Sequence, residues 1–138
     1  MKPLAQIGAD LNVVRSGLGV AGQAEFLLRS GEQVLENWNT AKGFDPTHAQ
    51  KEGFRLLALH RQGAKGDSSF NACRETCREL VYHYNLVTME PDHAETEKRL
   101  EMMQMVAMHL YLFVNGKMQV DGLGTFCCSS KAIRQTAG

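Results

Sequence analysis

The sequence predicts an all-α protein, a small bundle of about five helices with an irregular C-terminal tail. Apolar residues recur every three or four positions over most of the chain, which is helical periodicity. No stretch sustains the alternation of a half-buried strand. Glycines, prolines and short polar runs fall where helices stop and start. At 138 residues the chain is long enough for one domain with a real core, and its 43% apolar and 22% charged content is that of an ordinary globular protein. The expected division is a single helical domain over 1–118 and a loosely packed tail over 119–138.

Leu4, Ile7, Leu11 and Val14 set the first stripe, and Leu18, Ala21, Leu28 and Leu35 continue it. The spacing predicts a helix from Leu4 to Ser16, a break near Gly17–Gly19, and a second helix to Asn39. That break lies inside SGLGVAGQ, which spells the G-x-G-x-x-G pattern of a dinucleotide turn. Such a turn needs a strand before it and a second parallel strand carrying an acid. Asn12–Ser16 supplies only two apolar residues, and Glu36 lies too close to Gly22. The glycines are therefore read as a bend or a close helix contact.

Gly43-Phe-Asp-Pro marks the next boundary, with Asp45 as cap and Pro46 in the first turn of a third helix ending at Gln62-Gly63. After a loop to Ser69, Phe70, Cys73, Cys77, Leu80 and Tyr84 share one face of a fourth helix. Asn85–Glu90 reads as a connection, and Pro91 opens the longest helix, striped by Leu100, Met103, Val106 or Ala107, Leu110, and Phe113 or Val114. Asn115-Gly116 suits either a hairpin turn or a helix C-cap. The strong helix formers before it favour the cap.

Three residue sets are candidates for chemistry or binding. Cys73 and Cys77 lie one helical turn apart, and Cys127-Cys128 offers two more sulfurs, enough for a thiol sensor or a four-sulfur metal site. The stripe position of Cys73 and Cys77 favours core packing instead. His48/Glu52 and His93/Glu97 are i, i+4 pairs that on adjacent helices would make a two-histidine, two-carboxylate site for a bundle enzyme. Their place in early helical turns also suits plain solvated helix starts. Lastly, Met102, Met105 and Tyr111 look away from the main stripe of the longest helix, which makes that helix either central in its bundle or half of an interface; Leu35 and Trp38 join them as contact candidates.

The balance of 15 basic and 15 acidic side chains, with no basic block, argues against a nucleic-acid partner. No apolar run is long enough to span a membrane. The first residues do not read as an export signal, so a cytoplasmic location with free thiols is expected. No P-loop, nucleophile elbow or cysteine–histidine pair is legible. The expectation is a non-enzymatic regulator or adaptor without cofactor, acting through helix-mediated binding to a protein partner, itself in a homodimer.

Overall fold

A computed structural model describes residues 1–13 and 15–123. Within them the chain forms five α-helices: α1 (Leu4–Leu11), α2 (Gly19–Ala41), α3 (Arg55–Gly63), α4 (Arg74–Met89) and α5 (Thr96–Val120). Short 3-10 turns at Ser16–Leu18 and Ser68–Cys73 lead into α2 and α4. The fold is the all-α bundle that the periodicity predicts. Two long helices, α2 and α5, pack together at its centre. Helix α4 packs on both, α3 packs on α2 and α4, and α1 lies across α2 and α5.

The bend at SGLGVAGQ is real, and among the described residues no strand precedes it. Helix α1 ends at Leu11, earlier than Ser16, where Asn12 folds its carboxamide back to donate to the Gly8 carbonyl at 3.3 Å. The chain re-enters helix at Gly19, whose φ of +72° is open to glycine and strained for other residues. Leu18 continues the stripe in spacing only, for it is 52% exposed.

Both proline-led helix starts need correction. Residues 45–50 run non-helical alongside α3, held by its side chains. Gln62 accepts from the Thr47 N–H at 2.9 Å and donates to the Asp45 carbonyl at 2.8 Å, and Arg55 donates to the Thr47 carbonyl at 2.8 Å. A tight turn follows, with Glu52 and Gly53 both at positive φ (54° and 83°) and Lys51 and Phe54 exchanging backbone hydrogen bonds of 3.0 Å. At Pro91, successive turns use the carbonyls of Glu90 and His93, and the His93 ring accepts from the Glu95 N–H at 2.9 Å. In each place side-chain bonds to the backbone compete with helix and win. Helix α4 itself runs on to Met89, through most of the segment read as a connection.

Asn115-Gly116 is neither cap nor hairpin. Helix α5 continues through it to Val120, because Val114 and Met118 on either side are buried in the core. The helix stops where the Leu123 N–H reaches the Met118 carbonyl at 2.8 Å and Gly122 bonds back to Gln119 at 3.2 Å. Helix α5 thus extends past residue 118, and most of the expected tail, 124–138, lies outside the described residues. A Cβ added at Gly116 meets nothing within 4 Å. Gly116→Ala is therefore expected to stabilise the protein by about 0.5–1 kcal/mol in a urea titration. A loss of stability would show that the helix needs a glycine there.

The core gathers around Trp38. Its ring stacks on Phe70 at 4.4 Å and 8° between planes, and its N–H donates to the Gly63 carbonyl at 3.0 Å. Lys42 and Lys117 lie over the indole at 5.4 and 5.7 Å, and both reach Asp67 at 3.7 Å. The Ser69 hydroxyl and the two ammonium groups hold the Asp67 carboxyl below its usual range. Two glycines let helices close up. Gly31 lies where Leu80, Leu56 and Leu110 converge, and Gly8 lies under the Tyr111 ring.

Candidate functional site

The structure separates the residue sets that the sequence singles out. Leu35 and Trp38 are both 0% exposed, so they are core side chains out of reach of a partner. Their spacing continues the buried face of α2, beside Val34. Tyr111 is half-buried, with its ring occupying the space where Gly8 lacks a side chain. It fastens α1 to α5.

The histidine–carboxylate pairs do not form. His48, Glu52 and His93 all lie outside helices, so neither i, i+4 face exists; Glu97 is an exposed residue in the first turn of α5. Glu52 is held instead by the Arg78 guanidinium, through bonds of 3.1 and 3.2 Å, which lowers its carboxyl below the usual range. Among the described residues no three histidine, cysteine or carboxylate side chains converge as a metal ion would require.

Cys73 and Cys77 do come together, and with a histidine that the sequence reading did not connect to them. The Cys73 thiol donates to the Phe70 carbonyl at 3.3 Å, and His60 Nε2 lies 3.2 Å from that same oxygen. A hydrogen bond from Cys77 and the neighbouring His60 lower the Cys73 thiol below the ordinary thiol range, while Cys77, bonded to that sulfur and buried, is pushed well above it. Cys73 is 1% exposed and Cys77 0%. The pair is packed inside, as its stripe position predicts. Cys127 and Cys128 lie outside the described residues.

What remains on the surface is one face of α5. Met102 and Met105 are 48% and 65% exposed, and Leu112 is 58% exposed. With His109 between them they form a stripe along the outside of the helix. From Met102 to Gly116 the sequence has no lysine, arginine, aspartate or glutamate. No family model matches this chain, and no curated protein or solved structure matches it either. The stripe is therefore read from its own geometry.

That geometry is a ridge between two depressions. One, of about 350 Å³, lies against α1 and is lined by Leu11, Gln104, Met105, Met108 and Leu112. The other, of about 290 Å³, lies against α4 and is lined by Thr76, Glu79, Met102, Met105 and Val106. Met105 and His109 line both. His109 and Leu112 were not among the contact candidates. The signal for them was present, since each lies seven residues after Met102 or Met105, two turns on along the same face.

Proposed function

We propose that this chain is a non-enzymatic cytoplasmic regulatory or adaptor protein that works by pairing with a second copy of itself through the outward face of α5. The observation that carries the reading is the uncharged, exposed ridge of Met102, Met105, His109 and Leu112 with a depression on each side. A surface with both ridge and groove supplies both halves of ridge-into-groove packing, which two-fold self-association requires. Its lack of charge favours a partner face of the same character over an ionic one. Methionine side chains adapt to such a surface at little cost in fit.

Size-exclusion chromatography with light scattering tests this. The wild-type chain is expected as a dimer. Met105→Glu is expected to weaken pairing about 100-fold or more, because a two-fold contact buries the new charge twice. Circular dichroism should not change, since Met105 is 65% exposed. A wild-type monomer at high protein concentration would overturn the reading, as would a Met105→Glu protein that still pairs.

A further inference from the structure

The structure holds a second surface feature, on elements remote in sequence from α5. An open groove of about 760 Å³ runs between the 47–51 segment, α3 and the start of α4. Lys51, Arg61, Lys65 and Arg74 line it, and no carboxylate does. These four are distinguished from every other lysine and arginine among the described residues. All the others lie within 4.0 Å of a carboxylate, and these do not. In a chain of zero formal charge, the cations without a carboxylate partner among the described residues have been gathered into one place.

Helix electrostatics accounts for only part of this. Arg61, in the last turn of α3, and Lys65, just beyond it, complement the negative end of that helix. Arg74 is the reverse case. It is the first residue of the sixteen-residue α4, where the positive end of the dipole opposes a cation. Lys51 belongs to neither helix. The four charges come from a turn, a helix, a loop and a helix start, so no single helical periodicity brings them together. The nearby carboxylate of Glu52 is occupied by Arg78 and lines a different groove.

We infer that this groove binds a small polyanion carrying two or more phosphate groups. Its volume is in the range of small-molecule sites. The one aromatic ring in its lining, the His60 imidazole, is 5% exposed and already stacked on Phe70, and its apolar surface is alanine (Ala49, Ala58 and Ala64), so it offers little platform for stacking a base. Asn71, exposed and without an intramolecular side-chain bond, adds a neutral donor beside Arg74. Two arginines provide forked, bidentate contacts to phosphate oxygens, and two lysines provide point charges. Four positive charges match a diphosphate better than a single phosphate.

Titration calorimetry and NMR at low salt, with inorganic pyrophosphate as probe, test this. Pyrophosphate is expected to bind at least about tenfold more tightly than orthophosphate, with affinity falling as salt rises. Shifted amide signals should map to residues 47–51, 58–65 and 71–74. Arg61→Gln and Arg74→Gln should each weaken binding about tenfold, the loss of one charge-assisted contact. Arg74→Gln should leave the melting temperature equal or higher, because it removes a cation from a helix start. No binding at millimolar pyrophosphate would overturn the inference, and so would equal affinity for orthophosphate. A single-stranded oligonucleotide binding more tightly than pyrophosphate at equal salt would also overturn it, in favour of an extended nucleic-acid surface.

Discussion

Replacing Trp38 by alanine is expected to destabilise the protein by about 3–5 kcal/mol in a urea titration followed by circular dichroism. The indole is completely buried, stacks on Phe70 at 4.4 Å, and makes the only use of its N–H on the Gly63 carbonyl. Truncation opens a cavity bounded by three elements. It also strips the Gly63 carbonyl of its indole donor and the Lys42 and Lys117 stems of the surface they cover. Gly63 cannot fill the gap with a side chain of its own, since it has none. For a domain whose net stability is about 5–15 kcal/mol, this loss brings it near unfolding. Trp38→Phe keeps most of the packing and gives up the hydrogen bond, so it should cost about 1–2 kcal/mol. A loss below 1 kcal/mol for Trp38→Ala would contradict the packing described here and reopen the reading of Trp38 as a contact residue.

The second large effect is expected at Gly31. A Cβ there would stand 2.6 Å from a Leu80 methyl, 3.2 Å from one of Leu56 and 3.6 Å from one of Leu110. Side chains of α3, α4 and α5 meet α2 at this one residue. Valine adds three carbons where there is no room for one, and Gly31→Val should cost about 2–3 kcal/mol despite its better helix propensity. Leu80→Ala alone should cost about 2–5 kcal/mol through the cavity it leaves. The double variant should lose clearly less than the sum, because the valine then occupies the space that Leu80 vacates. Additive losses would mean that the two residues do not share that space.

The helices were legible wherever burial and periodicity agree. Phe70, Cys73, Cys77 and Leu80 are buried as their spacing predicts, and so are Leu100, Met103, Val106, Leu110 and Val114. Boundaries failed where a side chain distant in sequence decides them. Pro46 reads as a helix start, but Gln62 and Arg55 hold residues 45–47 outside any helix. Asn115-Gly116 reads as a stop, but the burial of Met118 carries α5 past it. Of the contact candidates, Met102 and Met105 lie on the surface, whereas Leu35 and Trp38 do not. An apolar side chain on a helix that is surrounded by neighbours has no outward face, and the number of neighbours is not written in local spacing. The basic groove was illegible for the same reason. Its four charges are spread over Lys51 to Arg74, and only folding brings them together and pairs the other described cations elsewhere.

The docking of α1 on α5 imposes an order on the birth of the protein. Tyr111 fills the space above Gly8, and the Gln104 carboxamide donates to the Leu11 carbonyl at 2.7 Å across 93 residues of sequence. Ile7 and Leu11, made before α5, are therefore left without their cover from it until that helix has left the ribosome. At cellular elongation rates that wait is roughly 5–20 s. Throughout it α1 can lean on α2 alone, with the side meant for α5 still open. The contact that closes α1 onto the bundle therefore waits for the synthesis of α5.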